Sequence, residues 1–133
     1  MIRFIAFCTA LALATPLSAQ MSEDVHFSTG NYGTTVEGSV TGNEYRDYRV
    51  GAEKGQEMLV ELTVTESDGN GTVYFNILPP GSAGEAIHIG SMDGNAITQT
   101  LPKSGTYTIR VYQMGNDKDT GKASAFRIAL SIR

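Results

Sequence analysis

Apolar residues recur at every second position in four long stretches of this chain. Alternation of this kind is typical of a β-strand with one face in a hydrophobic core and the other in solvent. The four stretches are residues 58–65, 73–77, 106–112 and 126–132. Shorter stretches of the same character are residues 25–27, 36–40, 45–50, 87–89 and 97–101. No part of the chain shows a helical period of any length, so we expect strands throughout.

Turn-forming residues separate these stretches. Clusters containing Gly, Asn, Asp, Pro or Ser occur at residues 30–31, 41–43, 54–55, 67–71, 79–84, 93–95, 104–105 and 116–121. Short strands at such spacing are typical of a β-sandwich or a barrel. We therefore predict an all-β fold: a single antiparallel β-sandwich, jelly-roll-like, of about eight or nine strands, spanning residues 20–133.

The first nineteen residues have the pattern of a secretory signal peptide. Arg3 is followed by an apolar run that ends at Pro16, which is too short for a transmembrane helix of about 20 residues. Ala19 is the small residue expected before a cleavage site. We predict that residues 1–19 are removed, that residues 20–23 form a loose tail, and that the protein is periplasmic or secreted, without membrane attachment after cleavage.

Composition narrows the range of functions. Cys8 is the only cysteine and lies in the predicted signal peptide, so the exported chain has no disulfide and no thiol chemistry. The formal net charge is −4, and loss of the single cation Arg3 changes it to −5. Nucleic-acid binding needs Lys and Arg to neutralise phosphates, so an acidic chain argues against it. The charge fits a basic protein partner, or solubility alone.

Residue types that support catalysis or metal binding are scarce. His26 and His88 are the only histidines, and they lack the spacing of a zinc site. The sequence contains no nucleophile elbow and no phosphate-binding loop. Residues 117–121 resemble part of a calcium loop, but Lys122 and Ile128 stand where that loop needs Gly and Glu. We therefore expect no enzyme activity, no metal and no cofactor.

Tyrosine and arginine give a more informative signal. The residues concerned are Tyr45, Arg46, Asp47, Tyr48, Arg110 and Tyr112. Tyr and Arg are enriched at binding hot spots, because they bury a large area and still form hydrogen bonds. Tyrosine is equally common on strands where it simply covers a sheet, and Arg110 can pair with a carboxylate on a neighbouring strand. Both interpretations fit the sequence.

Three motifs resemble those of the periplasmic inhibitors of goose-type (g-type) lysozyme. Residues 101–117 match the pattern LPxSGxYxxRVxQxxND at every fixed position. Residues 42–48 match GxxYxxY, and residues 52–56 match AxKGQ. The resemblance covers nearly all of the chain after the predicted signal peptide. It implies a β-sandwich that blocks the lysozyme cleft by inserting surface loops, without turnover.

The resemblance also implies which residues contact the lysozyme. The expected partner-binding residues are Tyr45, Asp47, Tyr48, Ser104, Asn116, Asp117 and Lys118. The last three would form the inserting loop, and the first three a neighbouring patch. The chain departs from the family at Gly115 and Asp119, where the family carries arginines, so Lys118 or Arg46 would have to supply the cation.

A related pattern occurs in pre-peptidase C-terminal domains, which are β-sandwich modules of secreted enzymes. It favours an alternative function: a non-catalytic module that binds a glycan such as peptidoglycan, or another envelope-associated protein. The ND pair after the RVxQ strand, and the layout of one domain after a signal peptide, favour the lysozyme inhibitors.

Overall fold

The computed structural model describes residues 20–133, which form nine strands and two short helices. The strands are β1 (Gln20–Asp24), β2 (Gly33–Thr41), β3 (Tyr45–Ala52), β4 (Glu57–Ser67), β5 (Val73–Leu78), β6 (His88–Ile89), β7 (Ala96–Thr100), β8 (Gly105–Gln113) and β9 (Ala123–Ile132). The helices are α1 (Gly90–Asp93) and α2 (Gly115–Asp119). Neither helix has the length and apolar character needed to cross a membrane. The predicted signal peptide, residues 1–19, lies outside the described residues and stays a prediction.

The strands form two sheets that pack face to face. The five-stranded sheet has the order β1-β3-β8-β5-β6, and the four-stranded sheet has the order β2-β9-β4-β7. Every connection between consecutive strands crosses from one sheet to the other, except the one from β5 to β6. Strand pairs within residues 20–133 are antiparallel apart from β1 and β3, which are parallel. The prediction of an all-β sandwich is confirmed.

The alternating apolar rows predicted from the sequence form the core between the sheets. Each of the following side chains is at most 6% exposed: Met58, Val60 and Leu62 of β4; Val73, Phe75 and Ile77 of β5; Tyr107, Ile109 and Val111 of β8; Phe126, Ile128, Leu130 and Ile132 of β9. Complete burial of such a side chain contributes about 1.5–3 kcal/mol to folding. Packing of these rows therefore stabilises the sandwich without a disulfide.

Tyr48 belongs to this core. It shares its parity on β3 with Val50, is 1% exposed, and meets Phe126 edge to face with ring centroids 6.2 Å apart. Gly38 of β2 provides the room, because a Cβ there would collide with the Tyr48 hydroxyl and lie 2.8 Å from Phe126 Cζ. A glycine in the opposite sheet thus allows a large aromatic side chain to fill the space between the sheets.

The N-terminal prediction was wrong in detail. Residues 20–23, expected as a loose tail, belong to strand β1, whereas residues 25–27, expected as a strand, form none. β1 is an edge strand whose side chains from Met21 to Asp24 are exposed, so it has no apolar row to reveal it. Residues 25–27 have apolar side chains because Val25 and Phe27 pack against the core as the chain leaves the sheet.

Candidate functional site

Three connections meet at one end of the sandwich, here called the loop end: residues 41–44, 68–72 and 114–122. Gln113 joins two of them, because its Nε2 donates to the carbonyl oxygens of Lys122 at 2.8 Å and Gly42 at 3.3 Å. Its Oε1 accepts a hydrogen bond from the Ser124 hydroxyl at 3.0 Å. The Gly42 N–H also donates to the Lys122 carbonyl at 2.9 Å. This buried polar network fixes the base from which α2 projects.

Asp117 holds α2 against the connection between β4 and β5. Its carboxylate accepts hydrogen bonds from the Asn70 N–H at 2.9 and 3.0 Å, the Thr72 N–H at 3.1 Å and the Thr72 hydroxyl at 2.9 Å. The amides of Asn70 and then Thr72 lower the pKa of Asp117 below its usual value, because they donate to the charged form. Asp117 is 0% exposed, so the prediction that it contacts a partner is wrong in this structure. It is a positioning residue for α2.

The remaining side chains of α2 are available to a partner. Asn116 and Lys118, on either side of the buried Asp117, are exposed, as is Asp119. The Thr120 hydroxyl donates to the Asn116 carbonyl at 2.7 Å, and the Thr72 hydroxyl lies 2.8 Å from the Met114 carbonyl. α2 is therefore a short, braced projection with Asn116 and Lys118 at its surface. That these two residues contact a partner stays a prediction.

Tyr45 and Asp47 lie on the outer face of the five-stranded sheet, beside β8. Arg110 Nε donates to Asp47 Oδ1 at 2.8 Å and Arg110 Nη2 to Asp47 Oδ2 at 3.0 Å, which is a bidentate ion pair. Donation of hydrogen bonds to the Asp47 carboxylate raises the pKa of Arg110, against the smaller opposing effect of burial. The guanidinium Cζ lies 4.3 Å from the Tyr45 ring centroid. Arg110 thus pairs with a cross-strand carboxylate and at the same time supports the ring of Tyr45.

Tyr48 and Arg46 do not belong to this surface. Tyr48 was predicted to contact the partner, but it points into the core, where burial raises the pKa of its phenol. Its hydroxyl has no hydrogen-bond partner among residues 20–133. Arg46 shares the inward parity of Tyr48, so it cannot supply a cation beside Tyr45 on the outer face. Alternation along β3 thus separates Tyr45 and Asp47 from Arg46 and Tyr48.

Ser104 lies at the opposite end of the sandwich, here called the turn end: residues 53–56 and 101–105. Register pairs Ala52 with Gly105 and Tyr45 with Tyr112, so the length of β3, about 23 Å, separates Ser104 from Tyr45. The Ser104 hydroxyl accepts a hydrogen bond from the Lys54 N–H at 2.9 Å. Ser104 is therefore remote from α2 and Tyr45, and the prediction that it contacts a partner stays a prediction.

Most of the motif residues at the turn end hold two turns together. The Tyr107 hydroxyl donates to the Lys103 carbonyl at 2.7 Å and accepts from the Lys103 N–H at 3.1 Å. The Gly55 N–H donates to the Leu101 carbonyl at 2.9 Å, and Gly55 has a φ of +90° that favours glycine. Residues of the LPxSGxY and KGQ motifs therefore have a structural role: they join the two turns at this end of the sandwich.

Sequence reasoning missed two residues of the outer face, Tyr74 and Asn76 of β5. The Tyr112 hydroxyl donates to Asn76 Oδ1 at 2.7 Å, and the rings of Tyr74 and Tyr112 lie 6.2 Å apart between centroids. The sequence placed both residues on the polar side of their strand. Only the pairing of β5 with β8 shows that they adjoin Arg110 and Tyr112.

The described part of the chain contains no group of three or more His, Cys, Asp or Glu side chains that could hold a metal ion. Asp117, the first residue of the calcium-loop candidate, uses its oxygens to accept hydrogen bonds from Asn70 and Thr72. The carboxylate that resembles a metal ligand in sequence is thus occupied by backbone and hydroxyl donors.

Comparisons with known proteins give consistent results. No protein-family model matches the chain. The chain is 26% identical over 132 residues to the inhibitor of g-type lysozyme of Escherichia coli (strain K12), an alignment that covers 99% of this chain and 96% of that protein. The crystal structure of Aeromonas hydrophila PliG, a periplasmic lysozyme inhibitor of g-type lysozyme, superposes with a TM-score of 0.75 and 31% identity, covering 85% of this chain and 96% of that one.

A further similarity concerns the fold alone. The pre-peptidase C-terminal domain of a collagenase from Bacillus anthracis superposes with a TM-score of 0.58 and 16% identity, covering 86% of this chain and 97% of that domain. The same sandwich thus occurs in a module attached to an enzyme.

Proposed function

The chain belongs to the family of periplasmic inhibitors of g-type lysozyme, and on that premise we propose that it inhibits a g-type lysozyme in the periplasm. The observation that carries the proposal is the match to A. hydrophila PliG, at 31% identity over 96% of that chain. The inhibitor acts without turnover, by binding non-covalently over the cleft of the enzyme. The lysozyme is its partner, and no cofactor takes part.

α2 is the element that enters the cleft in this proposal. The cleft of a glycosidase is lined by carboxylates that perform acid and base catalysis, so an entering loop needs hydrogen-bond donors or a cation. Asn116 offers an amide and Lys118 an ammonium group, and both are exposed. The carboxylate of Asp117 is turned inward and satisfied by Asn70 and Thr72, so it does not repel the carboxylates of the enzyme.

Bracing of α2 favours tight binding. A flexible loop loses conformational entropy when it binds, whereas a loop that is already held in place loses less. Before any partner arrives, the hydrogen bonds of Asp117 hold the middle of the projection and those of Gln113 hold its base. This is the physical advantage of placing a buried carboxylate in the middle of a binding loop.

Tyr45 forms the second part of the proposed contact surface. Its ring is supported by Arg110, which is itself fixed by two hydrogen bonds to Asp47. An aromatic side chain held in this way buries area on binding at a small entropy cost. Asp47 acts here through Arg110, since its carboxylate is only 18% exposed and is already paired.

Gly115 and Asp119 stand where the resemblance implies arginines in the family. Lys118 is therefore the exposed cation of α2. An acidic chain with one cation on its inserting loop binds mainly through shape and neutral hydrogen bonds. We therefore expect moderate rather than strong dependence of the affinity on salt concentration.

The test is a lysis assay. A g-type lysozyme is mixed with increasing amounts of the exported protein, and lysis of bacterial cell walls is followed by turbidity. We expect lysis to stop at a stoichiometric excess, and a one-to-one complex to elute earlier in size-exclusion chromatography. Unchanged lysis together with the absence of a complex would overturn the proposal. A hen-type lysozyme serves as the specificity control.

A further inference from the structure

Three tyrosines lie in one line across the outer face of the five-stranded sheet. Register pairs Tyr45 of β3 with Tyr112 of β8, and Tyr112 with Tyr74 of β5. Adjacent strands are about 4.8 Å apart, so the three residues form a ladder with one ring per strand. All three side chains are partly exposed. We call this ladder the tyrosine row.

A second line of planar polar side chains runs beside the tyrosine row. Asp47, Arg110 and Asn76 are paired in register across the same three strands. Arg110 and Asp47 form the bidentate pair, and Asn76 accepts a hydrogen bond from Tyr112. We call this line the polar row. Its members are joined to one another or to the tyrosine row, so both rows are ordered before any ligand binds.

The face carries no net charge. The two ion pairs formed within residues 20–133, Arg110 with Asp47 and Arg49 with Asp24, both lie on this side of the five-stranded sheet. A free cationic patch would favour an anionic ligand, but here each arginine is matched by a carboxylate at about 3 Å. Electrostatics therefore favour an uncharged ligand.

We propose that the tyrosine row and the polar row bind an uncharged, extended chain of β-1,4-linked pyranose sugars. The C–H faces of pyranose rings pack on aromatic rings, and vicinal hydroxyls match the planar groups of Asp, Arg and Asn. The ring centroids of Tyr74 and Tyr112 lie 6.2 Å apart, so neighbouring rings can contact neighbouring sugars of an extended chain. Val111 and Phe75, which separate the outward positions, point into the core, so the contacts offered are aromatic and polar rather than aliphatic.

This activity goes beyond inhibition and does not require it. Tyr112 lies three residues before α2 begins, and Tyr74 lies two residues after Thr72, which bonds Asp117. The face therefore borders the proposed lysozyme contact and shares Tyr45 with it. Glycan strands are the substrates that a lysozyme cleaves. An inhibitor that also binds such strands would be concentrated at the surface that the enzyme attacks.

The test is titration of the exported protein with chitotetraose and with cellotetraose, followed by amide chemical shifts in NMR. We expect saturable shifts centred on β3, β8 and β5 with at least one of the two sugars. The comparison of the two shows whether the 2-acetamido group contributes. Binding of either supports the proposal, because the pyranose chain is the shared chemistry.

Substitutions at position 74 separate ring stacking from general apolar contact. Tyr74→Phe keeps the ring, so the dissociation constant should be unchanged, whereas Tyr74→Leu should raise it roughly three- to tenfold. The matched control is Tyr32→Leu, because Tyr32 is 68% exposed and lies outside the face. If Tyr74→Leu does not fold, as judged by circular dichroism, Tyr112→Leu provides the second variant.

Three results would overturn the proposal. The first is the absence of saturable shifts with both sugars, and the second is a set of shifts confined to α2 or the four-stranded sheet. The third is a Tyr74→Leu variant that binds sugar as the wild type does. If this variant instead weakens lysozyme inhibition while no sugar binds, the face belongs to the lysozyme contact and the glycan proposal is wrong.

Discussion

The two ends of the sandwich use polar residues in opposite ways. At the turn end, the side chains of Ser104 and Tyr107 form internal hydrogen bonds that join two turns. At the loop end, the buried Asp117 and Gln113 form the internal bonds, and this leaves Asn116 and Lys118 at the surface. The end with the most recognisable motif is therefore a structural joint, whereas the proposed binding element projects from the other end.

The difference shows that a matched motif residue need not touch a partner. In the segment from Leu101 to Asp117, the fixed positions Leu101, Tyr107, Val111, Gln113 and Asp117 are all buried. Such positions keep the fold and the placement of its loops. Contact with a partner then depends on exposed neighbours such as Lys118.

The largest effect on inhibition is expected from Asp117→Ala. Loss of the carboxylate leaves the amides of Asn70 and Thr72 without their acceptor and releases α2, so the inhibition constant should rise by more than about tenfold. The lysis assay measures it, and hydrogen exchange of residues 114–120 should become faster. An unchanged inhibition constant with faster exchange would show that α2 is not the inserting element.

Acid should loosen the loop end of the wild type through the same carboxylate. The folded-state pKa of Asp117 is lowered, so its contribution to stability is fully present above the unfolded-state pKa of about 3.9 and is lost as the pH falls through the folded-state value. Thermal unfolding measured between neutral pH and pH 2 should therefore show a decline that is smaller in Asp117→Asn. Parallel declines in the two proteins would contradict this assignment.

The opposite pattern is expected at the turn end, with Tyr107→Phe. The hydroxyl bonds to Lys103 would be lost, which should lower the free energy of unfolding by about 1–2 kcal/mol. Inhibition should stay at the wild-type level, because α2 and Tyr45 lie at the other end. Chemical denaturation and the lysis assay together check the prediction, and a clear loss of inhibition in folded protein would mean that the turn end takes part in binding.

The smallest effect is expected from Lys118→Ala. Removal of one exposed cation should slow association with the lysozyme by roughly threefold at low salt and by less at high salt. The matched control is Lys103→Ala, since Lys103 is also exposed but lies at the turn end. Surface plasmon resonance at two salt concentrations measures both. Equal effects of the two substitutions would show that only net charge matters.

The sequence predicted the fold well where the strands have a buried face. The rows on β4, β5, β8 and β9 were found from alternation alone, because burial of one face imposes a period of two. β1 escaped detection because it is an edge strand with exposed side chains. α1 and α2 escaped because helices of four and five residues are shorter than the pattern by which a helix is recognised.

The site was predicted less well than the fold. Tyr48 was assigned to the surface although it shares its parity with Val50, which the alternation alone could have shown. The role of Asp117 depends on Asn70 and Thr72, which are 47 and 45 residues away in the chain, so local sequence could not reveal it. The motifs identified residues of the site, but they did not show which of these residues hold the fold in place and which are exposed to a partner.

By itself the sequence determined the long strands, the core rows and the family, because these depend on local periodicity and on motifs read along the chain. Only the tertiary structure decided which outward residues meet. Tyr45, Tyr74 and Tyr112 are distant in the chain, and strand register alone aligns them beside Asp47, Arg110 and Asn76. Register is set by how the two inner faces pack, so the composition of the outer face is a consequence of the core.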